Sequence, residues 1–277
     1  MYGILTDDPE LARTGPGEVT HFFAEYVDGT RNEPLEGAIS SVSCWGDTKT
    51  VRDEPGRAAV AADGTRATPD AEGHHWGTVC PTDPDYRAAV LERIERLGAT
   101  GDVRLTTLGF PGASFCHCDR CDREFEASDA TDRTAWRTDV ITDFVADAAA
   151  RVSGELLATL YPDPYPGNLR ERAGLDPEAL TPHVSEFVVP LCGAGYGTTY
   201  WVESLARGFA RELEDLDATF AIQLSTTDVD PDRLAGLTRQ LDSHADTIVY
   251  GTYPETEAVV RDVIRSVGET EAPTPSA

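Results

Sequence analysis

Three thiols fall within six residues at Cys116, Cys118 and Cys121, a C-x-C-x2-C spacing, and Cys80 stands upstream of them. Thiols this close along a chain do not readily pair with one another. Three thiolates and a fourth from elsewhere do fill the tetrahedral shell that Zn²⁺ prefers in a closed structural site. The plainer alternative is a set of reduced, partly buried cysteines with no metal. Cys80 is the expected fourth ligand, because it ends an apolar run (75–80) read as a strand neighbouring the one that delivers Cys116. His74, His75 and His117 lie close enough in sequence to replace one thiolate, whereas Cys44 and Cys192 read as buried thiols.

The second set of reactive types is carboxylates and aromatics just after apolar runs. Asp7 and Asp8 follow the first run, Trp45 and Asp47 the second, Asp83 the third, and Tyr161, Asp163 and Tyr165 the fifth. Tyr196 sits in the turn Gly193-Ala194-Gly195-Tyr196-Gly197 after the sixth; Thr226, Thr227 and Asp228 follow the seventh, and Tyr253 and Glu255 the last. Aromatic faces with neighbouring carboxylates suit sugar rings, the carboxylates bonding hydroxyl groups. Asp83, Asp228 and Glu255 also fit a plainer role as helix caps or first-turn acids. The glycine-rich turn lacks the Gly-Lys-Ser/Thr ending of a phosphate loop and the third glycine of a dinucleotide turn, which argues against a nucleotide.

The elements that must hold these groups are eight short apolar runs: 2–6, 38–45, 75–80, 103–108, 155–161, 186–192, 219–225 and 247–252. Between them lie patterns of helical period. Val19, Phe22, Phe23 and Tyr26 share one predicted face; Val90, Ile94 and Leu97 another; Trp136, Val140, Phe144 and Ala148 a third; Trp201, Leu205, Phe209 and Leu213 a fourth. Strands alternating with amphipathic helices predict a parallel sheet, and eight such units in 277 residues predict a (β/α)8 TIM barrel, somewhat irregular. One domain over 1–267 is expected. It includes a long loop 46–73 with a hairpin turn at Ala62-Asp63-Gly64, a Cys-rich zinc loop 112–125 after the fourth strand, and a disordered tail 268–277.

Charge narrows the partners. With 23 Lys and Arg against 49 Asp and Glu, the net charge is −26, and Lys49 is the sole lysine. Such a surface repels nucleic acid and anionic lipid. Combined with 40% hydrophobic residues, it reads as a folded acidic protein of haloarchaeal, salt-adapted type rather than a disordered one. No leader pattern opens the chain, and no run approaches the roughly 18 apolar residues of a membrane span, so a reducing cytoplasm is expected. The sequence leaves room for a homo-oligomer.

The stretch from Cys80 to Phe125 reads Cys-Pro-Thr-Asp-Pro-Asp-Tyr-Arg, a helix, Val103-Arg-Leu-Thr-Thr-Leu-Gly-Phe-Pro-Gly112, and then Cys-His-Cys-Asp-Arg-Cys-Asp-Arg-Glu-Phe125. It resembles the glycoside-hydrolase-like TIM barrels, among them the family-42 β-galactosidases, over about 45 residues. There a Cys-Pro segment opens the third helix and a C-x-C-x2-C follows strand four. The resemblance implies a structural zinc on Cys80, Cys116, Cys118 and Cys121. It also implies an acid/base glutamate ending strand four and a nucleophilic glutamate on strand seven, where this chain has Leu105-Thr106-Thr107-Leu108 and Ala221-Ile222-Gln223-Leu224-Ser225. Glycosidases of both stereochemistries normally require two placed carboxyls. The expectation is therefore a protein that binds or hydrolyses a small or oligomeric carbohydrate, with Asp7, Asp8 and Asp163 as the remaining candidates for catalysis. Trp45, Asp47, Tyr161, Tyr165, Tyr196 and Tyr253 are the candidates for substrate binding. A non-catalytic sugar-binding or interaction protein on a degenerate glycosidase barrel is the alternative, and a lyase or isomerase using the same barrel mouth is a third reading.

Overall fold

The computed structural model describes residues 1–191 and 199–268. Tyr196 with its glycine-rich turn, Cys192 and the tail beyond Gly268 lie outside the described residues. Eight parallel strands close into a barrel in sequence order: β1 (Tyr2–Thr6), β2 (Val19–Phe23), β3 (Ile39–Ser43), β4 (Val103–Thr106), β5 (Leu156–Thr159), β6 (Glu186–Leu191), β7 (Thr219–Ser225) and β8 (Thr247–Gly251). β8 returns to β1 with Ile4 opposite Tyr250. The helices run in chain order: α1 (Pro9–Thr14), α2 (Thr48–Asp53), α3 (Pro84–Gly98), α4 (Asp119–Glu126), α5 (Arg133–Ala149), α6 (Leu169–Ala173), α7 (Pro177–Leu180), α8 (Thr199–Leu213), α9 (Pro231–Leu241) and α10 (Glu257–Gly268). The fold is the (β/α)8 TIM barrel.

Two predicted elements are corrected. The face of Val19, Phe22, Phe23 and Tyr26 is not helical; Val19–Phe23 is β2, paired with β1 and β3. β-branched and aromatic side chains suit a pleated surface on both sides, and Gly17 leads into the strand with φ +108°. A Cβ on Gly17 would lie 2.8 Å from the Tyr2 carbonyl oxygen, so the close approach to β1 requires glycine there. The run 75–80, in turn, is not a barrel strand. It makes isolated antiparallel bridges, Thr78 to Gly46 and Val79 to Ala58, within the excursion that leaves β3. Trp45 and Asp47 therefore follow the third strand of the ring rather than the second. The excursion 46–83 holds α2 and a tight turn at 62–64, closed by the Gly64 amide donating to the Ala61 carbonyl.

Alternation along the strands sorts the core into two layers. Ile4, Val42, Leu105, Ala158, Val189, Ile222 and Tyr250 belong to the large buried cluster shared with the helices. Their neighbours face inward, where Leu157, Val188 and Ala221 form a separate small cluster with Ile39. Arg104, between Val103 and Leu105, also points inward. Its Nε donates to Thr159 Oγ1 at 2.9 Å and its Nη2 to Gln223 Oε1 at 2.7 Å. β4 and β7 are not neighbours in the ring, so that second bond crosses the barrel interior. His21 is fully buried in the same interior, and burial, followed by the charge of Arg104, holds its pKa well below the usual value.

Candidate functional site

The four cysteines meet. The sulfurs of Cys80, Cys116, Cys118 and Cys121 all lie within 4.8 Å of one another, with three of the residues buried and Cys118 half-buried. Cys118 is the N-cap of α4 and Cys121 lies in its first turn, so two sulfurs sit at a helix N-terminus, which favours thiolate. Cys80 lies at the end of the β3 excursion, 3.8 Å from Cys118 and 3.3 Å from Cys121, sulfur to sulfur. A zinc–sulfur bond of about 2.3 Å sets tetrahedral sulfurs about 3.8 Å apart, so the donors fit a four-coordinate ion by chemistry and by spacing.

Outer contacts orient the donors. The Val60 amide donates to Cys116 Sγ at 3.3 Å. Thr82 Oγ1 lies 3.3 Å from Cys80 Sγ and 3.2 Å from Cys121 Sγ, and Arg120 Nε donates to that oxygen at 3.0 Å. Thr82 thus accepts from Arg120 and has its own proton for a sulfur. No histidine joins the set.

The cysteine loop is also a structural support. Buried Arg137 of α5 donates to the carbonyls of Gly112, Ala113 and Phe115 through Nη1 at 3.0, 3.1 and 2.9 Å, and through Nη2 to Glu171. One guanidinium therefore joins the loop after β4 to α6, which follows β5. Arg133 adds a bond from Nη1 to the Cys116 carbonyl at 2.7 Å. On the other side, the excursion pairs with the loop: Ala61 bridges Phe115, and the His117 amide donates to the Val60 carbonyl at 2.7 Å.

Beside this scaffold, at the C-terminal ends of β4 and β5, is a cleft of about 220 Å³. Its walls are Thr107, Phe110 and Pro111 after β4, Tyr161 after β5, Arg172 of α6, and His74, His75 and Trp76 of the excursion. His74 meets Phe115 edge-on at 5.4 Å, next to Cys116. Burial, followed by the neighbouring His75, lowers the pKa of His74. Burial pushes the Tyr161 hydroxyl up to about 12 despite the opposing pull of Arg172, so it stays protonated and can donate. A larger hollow of about 500 Å³ between α3 and the β2–β3 connection has Arg31, Arg93, Arg96, Glu33 and Glu92 in its walls and no barrel strand. It lies apart from the strand ends, where reacting groups of such barrels are found.

Sequence-predicted residues fare unequally. Tyr161 lines the cleft. Trp45 does not: it is fully buried, packed on Phe144 at 4.5 Å, with Nε1 donating to the Leu108 carbonyl at 2.5 Å. Asp47 is buried as well, its oxygens taken by the Thr50 amide and hydroxyl and the Tyr86 hydroxyl, so it caps α2 rather than facing a ligand. Asp8 caps α1 through the amides of Glu10 and Leu11. Asp163 is buried, with Oδ1 accepting from the Tyr165 amide and Oδ2 from Arg172 Nη1, both at 2.9 Å. Asp7 is exposed at the end of β1, beside the Tyr26 hydroxyl; burial and then this carboxylate raise that hydroxyl's pKa, and Tyr253 is close enough to add to the effect. Asp7 and Asp163 follow strands on opposite sides of the ring. Tyr165 is 69% exposed and is not part of the cleft wall.

Trp76, Phe110 and Arg172 are not singled out by sequence, and His74 is singled out only as a possible replacement for one thiolate. The two aromatics and the histidine stand in segments without period, and Arg172 is one of many arginines; only the Gly73-His74-His75-Trp76 cluster offered a signal. The positions of the expected glutamates are occupied structurally. Thr107, at φ +48°, accepts from the Gly46 amide at 3.0 Å and lies 2.9 Å from Ser43 Oγ, while Gln223 is held by Arg104.

No protein-family model matches the sequence, and no curated protein is found to be similar to it. No helix among the described residues is long and apolar enough to cross a membrane. Among solved structures the chain is similar to the PgaB (BpsB) glycoside hydrolase domain from Bordetella bronchiseptica, with a TM-score of 0.61 and 15% identity, over 82% of this chain and 74% of that one. Weaker likenesses are an alpha-amylase from Lactobacillus plantarum (TM-score 0.43, 10% identity, 77% of this chain and 50% of that one) and bee venom hyaluronidase in complex with a hyaluronic acid tetramer (0.37, 11%, 84% and 66%). The first of these is described as a glycoside hydrolase domain, and at 15% identity the similarity establishes a shared fold alone.

Proposed function

We propose that this protein is a glycoside-hydrolase-like barrel that binds a carbohydrate in the cleft at the ends of β4 and β5, with a structural zinc on Cys80, Cys116, Cys118 and Cys121. The observation that carries the reading is the cleft wall. Trp76 and Tyr161 offer aromatic rings for the C–H faces of a sugar, Phe110 packs beneath them, and His74 and His75 offer hydrogen-bonding groups for hydroxyls. At about 220 Å³ the cleft is smaller than the roughly 300 Å³ at which drug-sized pockets begin, which suits one sugar ring. The zinc supplies no reaction chemistry here; it ties the loop 112–121 to the end of the β3 excursion. Through Phe115 and Arg137, that loop then supports His74 and the segment carrying Arg172.

Binding is favoured over hydrolysis because Thr107 and Gln223 stand where a glycosidase pair is expected, and Asp8 and Asp163 are engaged as a cap and an ion-pair partner. A second reading, hydrolysis, rests on Asp7, the exposed one of the three candidate carboxylates. It predicts that any turnover of aryl glycosides disappears in Asp7→Asn. Binding is tested by titrating the protein at high salt with a panel of monosaccharides while following tryptophan fluorescence. Saturable quenching that weakens about tenfold in Trp76→Ala is expected, the loss of one stacked aromatic face. No saturable response to any sugar would end the reading.

A further inference from the structure

The cleft wall departs in composition from the rest of the chain. Of 49 acidic residues, none is in its wall among the described residues, whereas Arg172, His74 and His75 all are. In a protein of net charge −26 this composition suits a site that admits an anion.

Arg172 is held as a reader would be. Asp163 is buried, and Arg172 Nη1 donates to its Oδ2 at 2.9 Å, while the other oxygen is taken by the Tyr165 amide. The guanidinium is 53% exposed in its side chain, and its carbon lies 6.0 Å from the centre of the Tyr161 ring. Among the described residues its one hydrogen bond is that to Asp163, out of five N–H donors in a fixed fork. An ion pair behind and an aromatic ring beside it hold the guanidinium in place, leaving donors for a second planar group. Around it, Tyr161 stays protonated and His74 is neutral near pH 7, so both can donate to an anion without bringing a negative charge.

On this basis, and resting on the carbohydrate reading above, we infer that the cleft selects an acidic sugar, a single ring whose carboxylate is bound by Arg172. A carboxylate matches the guanidinium fork bidentately, while the ring lies against Trp76. Asp163 is a positioning residue that acts through Arg172.

The experiment compares glucuronate, galacturonate, their neutral parent sugars and glucose 6-phosphate by titration calorimetry on the full chain. The salt must be enough to keep it folded, with the melting temperature as the check. The same set is run on Arg172→Gln and on Arg172→Gln/Asp163→Asn, the second leaving no unpaired buried carboxylate. Wild type should bind a uronate about tenfold or more tightly than its neutral parent, the effect of one charge-assisted bidentate contact. That preference should fall towards one in the double variant at unchanged melting temperature. Equal affinity for uronate and neutral sugar would overturn the acidic-sugar inference and leave the carbohydrate site standing, as would a preference that survives in the double variant. Tighter binding of the phosphate would overturn the choice of a carboxylate. Binding of none of them would remove the carbohydrate reading and this inference together.

Discussion

The two sides of the barrel mouth are built differently. On the side of β3 to β5, the connections are long and cross-bridged: residues 46–83 and 107–132 pair with each other, four thiols converge, and two arginines clamp the loop carbonyls. On the side of β7, β8 and β1 the connections are short and end in aspartate caps, Asp230 on α9 and Asp8 on α1. The aromatic cleft lies on the elaborated side, and the exposed carboxylate Asp7 on the plain one. The comparison teaches that acidic residues at strand ends in this chain mostly serve helix starts. On the proposed reading, specific recognition is assembled where loops are cross-linked firmly enough to hold polar and aromatic groups in place.

The largest expected effect comes from breaking the cross-link. Cys118→Ser should lose the metal and on the order of 4 kcal/mol of stability, because site formation and folding of the loop are one event. Elemental analysis and thermal melting read this, and four thiols alkylated in the native wild type with no zinc present would contradict it. Next, Arg137→Met leaves four carbonyls without their shared donor and should cost about 3 kcal/mol. Hydrogen exchange should rise in both 110–117 and 169–173; a change confined to one loop would show that the clamp does not couple them. Low salt comes third. With a net charge of −26, removing screening should lower the melting temperature, and exchange should rise first around α9 and α10, which no cross-link restrains. A melting temperature flat from dilute buffer to molar KCl would contradict this. The smallest effect belongs to the plain side: Asp230→Ala removes the bond to the Arg233 amide and should cost about 1 kcal/mol, with sugar binding unchanged.

Much of this contrast could be read from the chain. The cysteine spacing announced the cluster because metal ligands must be near in space and three of them are near in sequence. The strands 2–6, 103–108, 219–225 and 247–252 were legible as short apolar runs between helical patterns. β2 was not, since Val19, Phe22, Phe23 and Tyr26 fall at helical spacing by chance in a strand buried on both faces, where alternation vanishes. Residues 75–80 looked like a barrel strand because an antiparallel bridge in a packed loop also needs apolar residues. Trp45 looked like a rim residue, yet a tryptophan buried against Phe144 satisfies its N–H on a carbonyl and needs no ligand. The cleft residues were hidden because His74, Phe110 and Arg172 come from three separate segments whose meeting depends on the fold.

The most direct test of the account is a crystal structure of the zinc-loaded protein soaked with a monosaccharide. The account predicts a ring against Trp76 and Tyr161, with a polar group on Arg172. A sugar seated instead at Asp7 and Tyr253 on the opposite rim, with the cleft holding only water, would contradict it.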